Sequence, residues 1–232
     1  METITSDTLI DRLFTLLDDW RNLPAYQLER RADIFFAIYL DKIISKRFND
    51  TIDLIIPEFP VRVGDIDKNL PGLNQSYKID YVAVCKNSDK VYFIELKTDT
   101  SSRRDKQDSY LREAKEINIS KLMEGIIKIY GATIQKRKYN NLIKRLCGIG
   151  WLSQQDDVCT NTSKDYEIEV VYIQPGNKHG DKDVITFEDV AGYLADQPDK
   201  LTQRFIKSLH EWTQNPNDEV LPLKLTPKGT EL

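Results

Sequence analysis

Two neighbouring runs of hydrophobic and polar residues give the clearest pattern in the chain. The runs KIDYVAV (78–84) and VYFIELK (91–97) are rich in β-branched and aromatic residues, which are typical of strands. The polar segment KNSD (86–89) separates them, so the pattern predicts a β-hairpin. If the loop is the pair Asn87-Ser88 in a type I′ turn, where asparagine tolerates positive φ, paired positions have numbers that sum to 175.

This register places charged residues opposite one another at the end of the hairpin away from the turn. Because side chains alternate with period two, Asp80 faces Glu95 and Lys78 faces Lys97 on one side of the pair. We expect the other side to be apolar and to carry Tyr77, Ile79, Tyr81, Tyr92, Ile94 and Leu96. A strand that is apolar on both sides is usually central in a sheet, so the charged cluster is expected to be partly enclosed.

The opposed carboxylates of Asp80 and Glu95 repel each other, which lowers the stability of the hairpin. At the separation of directly paired residues, two carboxylates repel by about 3–4 kcal/mol at an effective dielectric constant near 20. A divalent cation such as Mg²⁺, which prefers hard oxygen ligands, would offset that repulsion. The alternative is a surface hairpin whose charged side chains never meet.

The segments before the hairpin predict two core helices and one extended segment. Residues 6–20 follow a cap at Thr5 or Ser6 and carry apolar residues at helical spacing, namely Leu9, Leu13, Leu16, Leu17 and Trp20. After a break at Asn22-Leu23-Pro24, a second amphipathic run has the stripe Leu28, Ala32, Phe35, Phe36, Tyr39 and Ile43. Residues 52–63 predict an edge strand or two short strands, because Pro57 and Pro60 interrupt them. The direction of Glu58 is left open.

The segments after the hairpin predict further helices and one strand. We expect a helix over 107–130 with a kink near Asn118, a polar loop over 153–165, a strand over 166–173 and two helices between 186 and 213. Residues 1–213 are expected to form a single domain, and residues 214–232 a loosely ordered tail.

Composition excludes several classes of protein. The 232 residues are 40% hydrophobic and 30% charged, with a formal net charge of −4, which is ordinary for a globular protein. The three cysteines show no CxxC spacing and the two histidines lie far apart, so neither a disulfide framework nor a zinc hydrolase is indicated. No apolar run approaches membrane-spanning length and the polar start is unlike a signal peptide. We therefore expect a cytoplasmic protein.

The spacing of the charged residues is similar to a known signature. Asp80, followed after fourteen residues by Glu95-Leu96-Lys97, resembles the Asp…(Asp/Glu)-x-Lys motif of the PD-(D/E)XK, or restriction-endonuclease-like, nuclease superfamily. Gln107 and Tyr110 resemble the Gln-x-x-x-Tyr element of its exonuclease-type branch, although the spacing here is one residue shorter. Ile79 stands where many members have proline.

The resemblance implies an α/β fold. Its restriction-endonuclease-like core has a central mixed β-sheet flanked by helices in the order α-β-β-β-α-β, and it covers about residues 25–173 here. Extra helices then precede and follow the core. The predicted order of elements in the chain agrees with this arrangement.

The resemblance also implies a set of site residues. Asp80 and Glu95 would bind Mg²⁺ or Mn²⁺ and the Leu96 carbonyl would add a ligand, while the preceding helix would supply Glu29 to the metal, with Asp33 as its substitute. Lys97 would orient or activate a water molecule, and Gln107 would hold the substrate or Lys97. Two basic groups are candidates for nucleic-acid contacts, namely Arg103, Arg104 and Lys106, and Lys136, Arg137 and Lys138. Both groups have the alternative of being ordinary solvated surfaces.

These expectations together describe a metal-dependent deoxyribonuclease. DNA is the expected partner, RNA is an alternative substrate, a homodimer is left open, and cleavage is internal or from an end. The alternative from another class is a non-catalytic module that keeps the nuclease-like scaffold for nucleic-acid binding or assembly. An enzyme acting on a small phosphorylated substrate has less support, because the chain has no glycine-rich phosphate loop.

Overall fold

The computed structural model describes residues 5–99, 105–156, 158–177 and 180–214, with the backbone alone for 105–107. Within these ranges the elements are α1 (Ser6–Trp20), α2 (Glu29–Phe48), β1 (Ile52–Arg62), α3 (Val63–Ile66), β2 (Ser76–Cys85), β3 (Lys90–Leu96), α4 (Asp105–Ala132), α5 (Lys136–Gly148), β4 (Leu152–Gln155), β5 (Val158–Asn161), β6 (Glu167–Gln174), β7 (Val184–Thr186), α6 (Phe187–Leu194) and α7 (Lys200–Thr213).

Five of the strands form one mixed sheet in the order β1-β2-β3-β6-β7. The pairs β1–β2 and β2–β3 are antiparallel, whereas β3–β6 and β6–β7 are parallel. The predicted α/β class, with a mixed sheet flanked by helices, is confirmed. The more specific restriction-endonuclease-like core remains a prediction.

The register of the hairpin β2–β3 agrees with the sequence arithmetic. Val84 pairs with Val91 and Val82 with Phe93, so the pair numbers sum to 175. Residues 86–89 form the connection as predicted, but a two-residue type I′ turn within them is wrong. Four bend residues connect Cys85 to Lys90, and neither central residue has the positive φ of a type I′ turn. Packing of the strands, more than turn chemistry, therefore holds this register.

The sheet separates two hydrophobic cores. Helices α1, α2, α6 and α7 pack on the side that carries Tyr92 and Ile94. Helices α4 and α5 and the small β4–β5 sheet pack on the side that carries Val82 and Phe93. Strands β2 and β3 are consequently buried on both faces, as predicted for central strands.

The regular alternation of β2 breaks beside Asp80. Ile79 packs with Val82 in the core under α4, whereas Tyr81 packs in the core under α2. The expectation that Tyr77, Ile79 and Tyr81 share one side is therefore wrong. The register of β1 with β2 places Glu58, which has a φ of 50°, across from this break.

Helix α1 begins as predicted but turns a different side to the core. The Thr5 side chain accepts a hydrogen bond from the Thr8 amide and caps the helix. Phe14 and Leu17 are buried, whereas much of the predicted apolar stripe is exposed, namely Leu9, Leu13 and Trp20. The interpretation of the stripe as core is confirmed for Leu17 and wrong for these three residues, because the buried side of the helix lies roughly 100° around the helix from them.

The remaining segments mostly follow the predictions. β1 is a single edge strand despite its prolines, and α4 bends at Asn118, whose φ is 61°. The segment predicted as a loop over 153–165 instead contains most of the β4–β5 pair. The short strand β7 was not predicted. Residues 215–232 of the predicted tail lie outside the described residues.

A buried ion pair joins β1 to α3 and the loop after it, and α4 packs against this pair. The Arg62 guanidinium donates to Asp65, Asn74 and the Pro71 carbonyl at 2.7–3.0 Å. One oxygen of the Asp65 carboxylate, Oδ2, is buried and has no hydrogen-bond partner. A Cβ atom at Gly125 of α4 would lie 2.4 Å from that oxygen, so only glycine allows α4 to approach this closely.

We expect Gly125→Ala to lower the free energy of unfolding by about 2 kcal/mol, the usual cost of forcing atoms into a packed interior. Gly131→Ala in the same helix is the matched control, because nothing lies within 4 Å of the added carbon. The control is expected to be neutral or stabilising by up to ~1 kcal/mol. Urea unfolding of both variants measures the difference, and equal stabilities would contradict the assigned contact.

Candidate functional site

The candidate site lies at the end of β3, where its ladder with β2 stops. The last paired residues are Tyr81 and Ile94. Beyond them the Asp80 carboxylate, Oδ2, accepts a hydrogen bond of 2.8 Å from the Leu96 amide. The Asp80 carboxylate thus accepts the hydrogen bond that a backbone carbonyl of β2 would accept if the ladder continued. This hydrogen bond holds the Asp80 side chain against β3.

Three carboxylates surround the ammonium group of Lys97. Lys97 Nζ lies 3.3 Å from Glu95 Oε2, 3.7 Å from Glu29 Oε2 and 3.8 Å from Asp80 Oδ2. It also donates a hydrogen bond of 2.8 Å to the Leu96 carbonyl. The four residues come from α2, β2, β3 and the residue after β3, so only the folded chain assembles them.

Glu95 is the most enclosed member of this cluster, with its side chain fully buried. Burial, followed by the nearby Asp80 carboxylate, raises the pKa of Glu95 from 4.5 to about 8, while Lys97 opposes the rise. Partial burial likewise raises the pKa of Glu29, again against the attraction of Lys97. At neutral pH the proton on Glu95 and the Lys97 ammonium together reduce the repulsion among the carboxylates.

Tyr110 connects the cluster to α4. Its hydroxyl donates to the Lys78 carbonyl at 2.9 Å and to Glu95 Oε1 at 3.2 Å, and its ring stacks on Tyr77 with centroids 4.8 Å apart. Tyr110 is not among the site residues that the resemblance implies. The structure places it in direct contact with Glu95.

An open cleft of about 250 Å³ adjoins the charged cluster. Its lining contains four acidic and two basic residues beside three others, namely Glu29, Asp33, Glu58, Asp80, Arg30, Lys78, Pro57, Tyr81 and Leu96. Glu58, whose direction the prolines had left open, therefore faces the same cleft as Asp80. Arg30 and Lys78 were absent from the predicted site, and only their proximity to Glu29 and Asp80 in sequence hinted at them.

The predicted site residues fall into three groups. Glu29, Asp80, Glu95 and Lys97 meet in one cluster, whereas Asp33 lines the cleft and its carboxylate bonds the Ile34 amide. Arg103 and Arg104 lie outside the described residues. Lys106 and Gln107 lie in α4, where their side chains are not described.

The second basic group lies on α5. The Lys136 ammonium donates to the Tyr130 and Gly131 carbonyls and so caps the end of α4. Arg137 and Lys138 are exposed. Nucleic-acid contact by these residues remains a prediction, and Lys136 has a structural role beside it.

The oxygen ligands of the cluster are of the kind that Mg²⁺ prefers, but their positions in the structure do not form a binding site for the ion. Carboxylate and carbonyl oxygens are the ligands that Mg²⁺ prefers, and Glu29, Asp80, Glu95 and the Leu96 carbonyl supply them. Among the described residues, however, no three Asp, Glu, His or Cys side chains are placed to hold one ion together. The Lys97 ammonium already lies among these oxygens.

Comparisons with known proteins add no family to this picture. Models of protein families, curated protein sequences and solved structures all give no match to the chain. Within the part of the chain that the structure describes, no helix has both the length and the apolar character needed to cross a membrane.

The raised pKa of Glu95 predicts a specific pH dependence of stability. Between pH 4.5 and about 8 the folded protein holds a proton on Glu95 that the unfolded chain releases. The contribution of Glu95 to stability is therefore full below pH 4.5 and is lost as the pH rises through about 8. We expect Glu95→Gln, which cannot ionise, to raise the free energy of unfolding at pH 9 by up to about 5 kcal/mol over the parent.

Urea unfolding at pH 5 and pH 9 measures this effect. Glu124→Gln is the control, because Glu124 is exposed on α4 beside Lys121 and its pKa is lowered, mainly by the hydrogen bond from that lysine. The control is expected to keep the parent's change of stability between the two pH values. If Glu95→Gln also kept it, the assignment of the buried proton to Glu95 would be wrong.

Proposed function

We propose that the protein is a metal-dependent nuclease that hydrolyses phosphodiester bonds, with DNA as its main substrate. One observation carries the proposal. The acidic residues and the lysine singled out from the sequence, Glu29, Asp80, Glu95 and Lys97, meet beside an open cleft. Chance placement on a surface hairpin would not bring residues from three separate elements to one point.

Each residue of the cluster has a role in the proposed reaction. Glu29, Asp80, Glu95 and the Leu96 carbonyl would hold Mg²⁺, which when bound supplies an activated water molecule and neutralises phosphate charge. Lys97, held by the Leu96 carbonyl, would stabilise negative charge that develops on the phosphoryl oxygens. Tyr110 would position Glu95 through its hydroxyl group.

The cleft supplies a place for the substrate backbone. Arg30 and Lys78 line it together with the acidic residues, and basic side chains draw phosphates towards a site and hold them. Four carboxylates line the same cleft, so neutralisation of the acidic residues would have to accompany the approach of a phosphate. This requirement is a physical reason for the proposed dependence on a divalent cation.

We expect Asp80→Asn, Glu95→Gln and Lys97→Met each to lower the rate of DNA cleavage at least about a hundredfold, because each removes a group from the reacting centre. The assay uses linear, circular and single-stranded DNA with Mg²⁺ or with EDTA. Asp89→Asn is the matched control, since Asp89 lies at the turn end of the same hairpin in an exposed pair with Lys164. Cleavage by the three site variants at the rate of the control would disprove the mechanism.

A non-catalytic module is the second candidate function. It is supported by the Lys97 ammonium and the buried proton on Glu95, which together reduce the repulsion among the three carboxylates without any added ion. In such a module the cluster would serve stability and the scaffold would serve nucleic-acid binding or assembly. The two candidates differ in whether the cluster binds a metal ion.

A titration with Mn²⁺ separates the candidates. For the nuclease we expect saturable binding that is lost in Glu95→Gln, and binding about tenfold tighter in Lys97→Met, where the internal cation no longer competes for the oxygens. Calorimetry on the folded proteins measures both affinities, with Asp89→Asn again as control. No binding to the parent or to Lys97→Met would favour the non-catalytic module.

A further inference from the structure

Helix α1 exposes a continuous apolar seam. Leu9, Leu13 and Trp20 are 53%, 44% and 41% exposed, and Leu16 lies between them in a half-buried position. The spacing of the four residues is four, three and four, which is the a/d pattern of a helix that packs on another helix. Phe14 and Leu17 already fasten α1 to its own core on a different side.

Further exposed apolar side chains lie on α2 and on the connection that leads to it. Phe14 of α1 and Phe35 of α2 meet with ring centroids 4.6 Å apart, so the two helices touch at this point. Of the nine large apolar side chains that are exposed among the described residues, six belong to α1, α2 and their connection, namely Leu9, Leu13, Trp20, Leu23, Ile34 and Ile38. Such a concentration is typical of an interaction surface.

Two unpaired charges flank the seam of α1 on one side. Arg12 and Asp19 are exposed, and each comes directly before a seam residue, Leu13 and Trp20 respectively. Within the described part of the chain neither forms a salt bridge. They are seven residues apart, or about 10 Å along the helix, so they do not pair with each other in one molecule.

We propose that this surface binds a second copy of the chain through α1, with the two helices antiparallel about a twofold axis near Phe14 and Thr15. In this arrangement Leu9 packs on Trp20 of the second copy, and Leu13 packs on Leu16 of the second copy. Arg12 then faces Asp19 of the second copy, and the symmetry makes this contact twice.

The placement of the charges is what selects a second copy as the occupant. Arg12 and Asp19 flank the seam on the same side. When two copies of α1 pack antiparallel, each Arg12 lies opposite Asp19 of the other copy, so both charges gain a partner of opposite sign. The other three acidic residues of α1 already have partners on α7, since Asp7 and Asp11 pair with Lys200, and Asp18 pairs with Arg204. This inference does not depend on the proposed nuclease activity.

A charge exchange tests the proposal on the full chain. Sedimentation equilibrium between about 1 and 200 µM is expected to show dimers of the parent protein. We expect Arg12→Asp and Asp19→Arg each to weaken the dimer about tenfold, because each replaces two attractive contacts with two repulsive ones. The double variant is expected to return to within about threefold of the parent, because it restores both pairs in exchanged positions.

Substitutions of exposed apolar residues complete the test. Leu13→Gln at the centre of the seam is expected to weaken the dimer at least tenfold, whereas Ile134→Ser, at an apolar residue that is 97% exposed before α5, is expected to leave it unchanged. Circular dichroism checks that all variants are folded.

Three results would overturn the proposal. The first is a monomeric parent protein at 200 µM, and the second is a double variant as weak as the single ones. The third is a protein that dimerises only when it is shortened after Gln214, which would assign the surface to residues 215–232.

Discussion

The structure of the site depends on how a few buried charges are balanced around the Lys97 ammonium. Three carboxylates lie within 4 Å of it, and the Leu96 carbonyl holds it in place. Removing charges from water costs several kcal/mol per ion unless opposite charges and hydrogen bonds replace the lost hydration. Here the replacement comes from Lys97, from the Leu96 amide that bonds Asp80, and from the proton that burial keeps on Glu95.

This balance requires the particular position of the cluster in the sheet. β3 is a central strand with a core on each side, which makes Glu95 fully buried. The alternation of side chains along β2 breaks beside Asp80. Glu29 comes from the first turn of α2, which packs on one face of the sheet. Side chains that lie far apart in the sequence therefore meet at the one place where the β2–β3 ladder ends and a cleft opens.

The two candidate functions are two ways of balancing the same charges. In the proposed nuclease a divalent ion takes part of the role that the ammonium and the buried proton have in the protein alone. In the non-catalytic module the Lys97 ammonium and the proton on Glu95 are sufficient. From the sequence alone, a metal ion is the expected compensating charge, because the spacing of Glu95 and Lys97 makes the lysine a neighbour of the carboxylate pair and does not show that Lys97 lies at the centre of three carboxylates.

The sequence by itself determined the local features. Alternation of apolar residues and a polar connection were enough for the strands and for the register that pairs Val82 with Phe93 and Val84 with Val91, because paired strands must bury matching faces. The capping residue of α1, the kink at Asn118 and the edge position of β1 also followed from single residues and their chemistry.

Only the tertiary structure decided which faces are covered and which charges meet. The leucines of α1 have the spacing of a buried stripe, yet the core contacts Phe14 and Leu17, because the neighbouring helices α2 and α7 determine the side that is covered. The side on which Ile79 lies and the approach of Glu29 and Tyr110 to Glu95 likewise depend on how separate elements pack. Hydrophobic spacing shows that a residue needs a partner, but three-dimensional packing determines which partner is available.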